Sequence, residues 1–299
     1  RLTVPATLDL RDLPARARPG GHGLGAEFLG RLRVLEALAV VLRAFHDEAF
    51  PADESGTDPL EQAEVLGFEL VLADAEVFSR RLEKVVKEAT ADASKKPAAA
   101  AITRAAELLD GGTPLRSVEW SEQERLVFRD LAPLTLKPAV WVVNVDEGGG
   151  DEEETAAALQ GIVPSGDTVV VLSAEIEEEA SRLDPDDRAE LIEGLGLGAG
   201  ALTKMVRATY DALGLLSFYT LGPKEAHAWT VRRGTHAREA AGKIHSDLER
   251  GFIRAEVAGI ETVVDRGGFD AAKAAGDVRL EGRDYVVAEG DVLLVRFSV

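Results

Sequence analysis

The chain has 299 residues, of which 45% are hydrophobic, with a formal net charge of -19 and no cysteine. That length supports real cores and about two domains, while the lack of cysteine excludes disulfide frameworks, thiolate zinc sites, Cys nucleophiles and thiol redox cofactors. No apolar run approaches a membrane span and no charged-then-apolar leader opens the chain, so a soluble, cytoplasmic protein with no membrane partner is expected.

The chain opens on Arg1 rather than Met and enters a strand-like pattern at once, from which an N-terminal piece is expected to be missing. Leu2, Val4, Ala6, Leu8 and Leu10 alternate as in a half-buried strand, with Asp12 at its end. Residues 14–25, with Pro14, Pro19, Gly20, Gly21, Gly23 and Gly25, read as a flexible loop. Phe28, Leu29, Leu32 and Leu35 then recur at helical spacing, and Ala37 to Phe45 reads as a buried strand. Strand, acidic end, Gly-rich loop, helix and strand is an α/β pattern.

After a polar linker at residues 51–59 the period changes. Val71, Ala75, Phe78, Leu82 and Val85 follow 4-3-4-3 spacing, Lys95-Lys96-Pro97 breaks the helix, and Ile102, Ala105, Ala106 and Leu109 start another. This predicts an antiparallel helical hairpin inserted into the α/β domain and closed before Leu134; a plain pair of core helices fits the same residues. Pro138 to Val145 and Thr168 to Leu172 return to buried-strand runs, with helices expected over Asp186 to Glu193 and Leu202 to Leu213.

From Phe218 the chain turns to short strands at Ala228 to Val231, Phe252 to Val257, Asp284 to Val287 and Val292 to Phe297, with one helix near Ala237 to Leu248. A β-grasp plan fits, as do other α+β folds. The expected domains are residues 1–56 and 137–216 for the α/β domain, 57–136 for the helical insert and 217–299 for the sheet domain. Residues 217–299 hold 12 basic and 13 acidic residues, so nearly all the negative charge lies upstream. Between Lys224 and Arg254 basic residues outnumber acidic ones, seven to four.

The phosphate loop GxxxxGK[ST] does not occur in the chain. The run Gly194 to Gly200 follows an acidic helical stretch rather than a strand and reads as a helix-ending loop. Asp12 stands where a P-loop NTPase places its magnesium-side acid, although an ordinary strand-end aspartate fits too. Asn144-Val145-Asp146-Glu147 resembles the base-reading motif Asn-Lys-x-Asp with the lysine and final aspartate replaced, which weakens guanine discrimination; a surface turn is the plain alternative. Ser173-Ala174 suits the loop that touches the base from the other side. Trp229, Arg232, Arg233, Arg238, Lys243, Arg250 and Arg254, with Phe252, form a candidate RNA-facing patch of phosphate-binding cations and stacking aromatics, against the alternative of a mixed-charge surface. His227, His236 and His245 have no metal-ligand spacing.

Gly234-Thr235, the run from Ala240 to Val257 and the run from Ala271 to the end together resemble the C-terminal TGS domain of the Obg-like ATPase family, YchF type. Leu134 to Glu147, the Gly21 to Gly25 loop and the strand ending at Asp12 agree with that family in order and spacing. The resemblance implies an incomplete Ras-like P-loop NTPase domain, an inserted antiparallel coiled-coil arm and a β-grasp TGS domain. It further implies hydrolysis of ATP, with GTP possible, using Mg2+, and association with the ribosome or RNA through the TGS domain and arm. Asn144 and Glu147 match the family's altered base-reading motif, and Asp12 its magnesium-side aspartate.

Departures from the family lie at Ala15, where a glycine meets the γ-phosphate, at Ala26, where an asparagine is usual, and near Ala52, where a histidine falls; His46 is a substitute for the last. The family's cysteine-based redox control has no counterpart. The competing expectation is a nucleotide-independent RNA- or ribosome-binding protein with a decayed NTPase domain.

Overall fold

The computed structural model describes residues 2–4, 7–13, 24–48, 56–147, 152–194, 200–222 and 225–298. They fall into two units, one of Arg1–Asp12 with Leu213–Val299 and the other of Leu13–Ala212. The strand expected over residues 2–10 forms only as β1, Leu2–Val4, and it pairs in parallel with Glu225–His227 of the C-terminal sheet. Pro5 has no N–H to give a ladder, and beyond it Leu10 is 64% exposed. Asp12 therefore does not stand at a strand end, and the first residues group with the C-terminal unit rather than with the α/β unit.

In the second unit, α1 (Ala26–Arg33) leads into β2 (Leu38–Ala44). There follow α2 (Pro59–Ala91), α3 (Lys96–Asp110) and α4 (Glu122–Phe128), then β3 (Ala139–Val145), α5 (Glu152–Gln160) and β4 (Thr168–Leu172). The unit closes with α6 (Ala174–Ser181), α7 (Pro185–Gly194) and α8 (Ala201–Ala212). The three strands form a parallel sheet in the order β2-β3-β4. Such a sheet needs both faces covered at its centre. Accordingly, Trp141, Val143 and Val145 of β3 pack with Leu38, Leu42 and Leu159, while Val140 and Val142 face Val170 and Ala208 of α8.

Helix α2 starts where Asp58 accepts the Leu60 N–H at 2.9 Å, with Pro59 in the first turn. It belongs to two cores. Its first half packs Ala63 and Leu70 on the sheet, and its second half packs Val71, Phe78 and Val85 against Ala101, Ile102, Ala105 and Leu109 of α3. The 4-3 spacing read from the sequence is thus the seam of a hairpin, turned at Asp92, whose carboxylate accepts the Ser94 N–H. The insert is less separate than expected, since half of α2 covers β2 and β3. Trp120 and Phe128 seal the hairpin's base, with ring centroids 4.8 Å apart.

The C-terminal unit holds β5 (Leu215–Leu221), β6 (Glu225–Arg232), α9 (Ala237–Ile244), α10 (Ser246–Arg250) and β7 (Phe252–Gly259). Then come α11 (Ile260–Asp265), α12 (Phe269–Ala275), β8 (Arg279–Glu281) and β9 (Asp291–Phe297). The sheet order is β1-β6-β5-β9-β7-β8. Ala237, Ala240 and Ala241 let α9 lie close on Phe218, Val231 and Val257. Gly251 allows the last strand's approach, since a Cβ there would stand 2.2 Å from the Ser298 carbonyl oxygen. Two expectations are corrected. Asp284 to Val287 is no strand, only a bridge of Val286 to His236, because Gly282 and Gly290 confine it to a turn-rich connection. The single crossing helix is joined by α10 on its own side, and by α11 and α12 against a second core that includes Ala258, Val263 and Ala272.

Candidate functional site

In open α/β sheets ligands bind beyond the carboxyl ends of the strands. Here those ends bring together His46 after β2, Asn144 to Glu147 on and after β3, and Ser173-Ala174 after β4. The Asn144 Oδ1 accepts the Ala174 N–H at 2.9 Å. Ser173 is buried and caps α6 by accepting the Ile176 N–H at 3.4 Å. The two loops read separately from the sequence are therefore tied to one another. Glu147 is exposed at the rim.

Asp146 has a different task. Its two carboxylate oxygens each accept the His46 N–H at 3.2 Å, which fixes the exit of β2 beside that of β3. Sequence reasoning noted both residues but not the bond. The signal for it is the Asn-x-Asp spacing: alternate residues at a strand end reach the neighbours on either side. Gln62 of α2 also steadies β2, giving its Nε2–H to the Arg43 carbonyl at 2.7 Å and accepting the Arg43 N–H at 2.9 Å, as a neighbouring strand would.

A shallow, open recess lies beside Ser173, lined by Glu152, Leu172, Ile176, Glu177 and Lys204. Its charges are already paired: Lys204 with Glu152 at 2.8 Å, and Glu177 with Arg188 and with the Ala201 N–H at 2.9 Å. The recess thus offers apolar contact from Leu172 and Ile176 rather than free charge.

Asp12, in the other unit, is exposed. No group of three or more His, Asp or Glu side chains able to hold a metal ion occurs among the described residues. Magnesium in phosphoryl-transfer sites is held by one or two carboxylates together with phosphates and water, so the donor type of Asp12 fits that ion although no cage is built around it. Ala15, Arg16, Gly21, Gly23, Ala52 and most of the Gly194 to Gly200 run lie outside the described residues. Helix α7 does extend to Gly194, as a helix-ending loop requires.

The basic residues of the C-terminal unit do not form one patch. Arg232 and Arg233 are exposed at the end of β6, and Arg238, Lys243 and Arg250 are exposed on and after α9. Arg238 donates to the Glu249 carbonyl at 3.2 Å, and Arg250 pairs with Asp247. Arg254 lies on the opposite face of β7: Ala255 and Val257 point to the core under α9, and a bulge between Phe252 and Arg254 carries Phe252 into the same core. Phe252 is buried and cannot stack on a base. Trp229 is half-buried, stacked on His227 with centroids 3.9 Å apart, and its indole N–H is given to Thr220 Oγ1 at 2.9 Å.

Residues 215–298 match the family model YchF-GTPase_C, described as a protein of unknown function (DUF933). Over 99% of the chain it is 36% identical to the Ribosome-binding ATPase YchF of Bacillus subtilis, 83% of which is covered. It is 32% identical, over 98% of the chain, to the Obg-like ATPase 1 of Saccharomyces cerevisiae, 77% of which is covered. The solved structure of the Schizosaccharomyces pombe YchF GTPase superposes with a TM-score of 0.80 at 29% identity, covering 94% of this chain and 77% of that one. Full-length similarity of this degree, with the mixed α/β unit and the C-terminal sheet it predicts, means that the chain belongs to the YchF/Obg-like ATPase family.

Proposed function

We propose that this protein is a cytoplasmic, ribosome-associated factor that binds and hydrolyses ATP, with GTP as the lesser substrate. The observation that carries this reading is the Asn144 to Ala174 tie at the carboxyl ends of a parallel sheet, in a chain 36% identical to a protein named Ribosome-binding ATPase YchF. Asn144, Glu147, Ser173 and Ala174 surround the base. With Val145 in place of a lysine and Glu147 in place of an aspartate, the acceptor pair that selects guanine is incomplete. Mg2+, when bound, would neutralise charge on the phosphates; the protein's share is positioning and electrostatics.

The domain plan proposed with it is an NTPase domain from residues 13–56 and 137–216, an arm from 57–136 and a TGS domain from 217–299, with residues 1–12, first expected in the NTPase domain, grouped with the last. The exposed cations Arg232, Arg233, Arg238, Lys243, Arg250 and Arg254, with Trp229, are the contacts this reading assigns to ribosomal RNA. The test is a titration of the chain, and of a version extended upstream, with fluorescent ATP and GTP analogues with and without Mg2+. Mg2+-dependent ATP binding by either form supports the reading. Binding by neither, with ribosome binding that ignores nucleotide and weakens with salt, replaces it with the nucleotide-independent alternative.

A further inference from the structure

Between Thr57 and Ser79 the sequence has six acidic residues and no Lys, Arg or His. Three sides of this stretch of α2 carry apolar residues, whereas a surface helix is normally apolar only where it is covered. Two of its sides are: Ala63 and Leu70 pack on the sheet core, and Val71 and Phe78 on the hairpin core. The remaining side is open. Val65, Phe68 and Leu72, spaced i, i+3 and i+7, are 47%, 58% and 51% exposed. They form a stripe about 10 Å long on one face.

Charge says what fits this stripe. Glu61 and Glu76 lie above and below it, and Glu64 and Glu69 lie along its two sides. Glu69 accepts the Leu24 N–H and Glu76 pairs with Arg80, whereas Glu61 and Glu64 make no ion pair among the described residues. Nucleic acid and anionic lipid would both be repelled by this rim, and a second copy of the helix would set carboxylate against carboxylate. The complement is a helix with apolar residues at matching spacing, flanked by Lys and Arg.

We propose that the Val65, Phe68 and Leu72 face of α2 docks a basic amphipathic helix of a ribosomal protein. This rests on the ribosome-associated reading above and adds to it a second, protein-directed contact, separate in sequence and chemistry from the basic residues of the C-terminal unit. Phe68 is the anchor, Val65 and Leu72 flank it, and Glu61 and Glu64 select a cationic partner and steer its approach.

The test places a photo-cross-linking benzoylphenylalanine at Leu72 and irradiates the full chain with purified ribosomes, reading sedimentation and cross-links separately. The expected result is co-sedimentation with a cross-link to a Lys/Arg-rich segment of one ribosomal protein. Its yield should fall roughly tenfold with Phe68→Ser, as loss of an interface anchor implies. Glu61→Lys with Glu64→Lys, which leaves the apolar contacts intact, should lower the yield as well. Co-sedimentation with cross-links only to RNA, or with a yield indifferent to both variants, overturns the docking face and leaves the ribosome reading standing. Failure to sediment with ribosomes overturns both.

Discussion

Arg33, at the end of α1, and Asp74, in the middle of α2, meet at 2.8 Å, and the Asp74 side chain is fully buried. The other carboxylate oxygen accepts both the backbone N–H and the hydroxyl of Thr135, at 2.7 and 2.8 Å. Arg33 in turn donates to the carbonyls of Ala73 and Ala132 at 3.2 and 3.0 Å. A buried pair of this kind is weak evidence of net stabilisation, but breaking it on one side strands the other. We therefore expect Asp74→Ala to cost about 3 kcal/mol in urea unfolding, since it leaves a guanidinium and two donors without their acceptor. A loss below about 1 kcal/mol would mean that water reaches the vacated site and satisfies them.

Thr135 extends this network. Its carbonyl accepts from Arg116 at 3.2 Å, and Arg116 grips Asp167 through Nε and Nη2, with bonds of 2.6 to 2.9 Å. Trp141 of β3 adds its indole N–H to the same carboxylate at 2.8 Å. The root of the hairpin is thus bonded to the turn before β4 and to the central strand. Asp74→Ala and Arg116→Ala should each destabilise, and because both act on Thr135 their effects should depart from additivity by about 0.5 to 3 kcal/mol. Additive losses in the double-mutant cycle would show that Asp74 and Arg116 act as separate locks.

Much of this was legible beforehand, and the reasons differ by residue. Val71, Phe78 and Val85 announced the hairpin because a seam repeats, and Pro138 to Val145 announced a central strand because both its faces are buried. Asp74, Arg116 and Asp167 were not legible. A polar residue in a core carries no period, and each finds its partner far along the chain. The division of the basic residues was hidden for a related reason: proximity in sequence put Arg254 with Arg238, but a strand sends successive residues to opposite faces, so the sheet divides them. Residues 2–10 alternate as a strand should, yet alternation does not say which sheet the strand joins.

Lys137 gives its ammonium to the carbonyls of Arg33 and Leu35, closing the end of α1. Burial pushes its pKa below the ordinary lysine value of 10.5, and the neighbouring Arg33 adds to the effect, while Asp74 and Glu36 oppose it. The unfolded chain then holds this proton more tightly than the folded one. Stability must rise with pH between the lowered value and 10.5. Lys137→Met should flatten that rise when unfolding is followed from neutral pH upward, and an unchanged slope would remove the residue from the account.

Glu256 in the C-terminal sheet works in the opposite sense. The Lys273 ammonium at 2.6 Å holds its carboxyl below the ordinary value; burial opposes this, and Arg296 adds to the lowering. The two cations cover the carboxylate themselves, which keeps it from water although it lies near the surface. Here the stabilisation is fully present above the ordinary carboxylate value of 4.5 and is lost as pH falls through the lowered one. Glu256→Gln should therefore flatten the acid side of the stability curve and leave the alkaline side parallel to the parent. An acid limb unchanged in slope would contradict the pairing.

The tie between Asn144 and Ala174 separates a site residue from a structural one. Removing the amide in Asn144→Ala deprives one backbone N–H of its partner, but at a strand end near water that donor can be resolvated, so stability should fall by no more than about 1 kcal/mol. The geometry of the loop after β4 depends on it far more, because Ser173 orders the start of α6 from the other side of the same peptide. Binding of a fluorescent ATP analogue, in a form of the protein that binds it, should weaken by roughly tenfold or more, as expected for losing a preorganised contact. Asp146→Ala, which releases the His46 backbone instead, should weaken binding less, because it loosens the β2 exit without touching Ser173 or Ala174. Equal effects of the two would mean that the strand ends act as one rigid rim and that Asn144 has no special relation to the base.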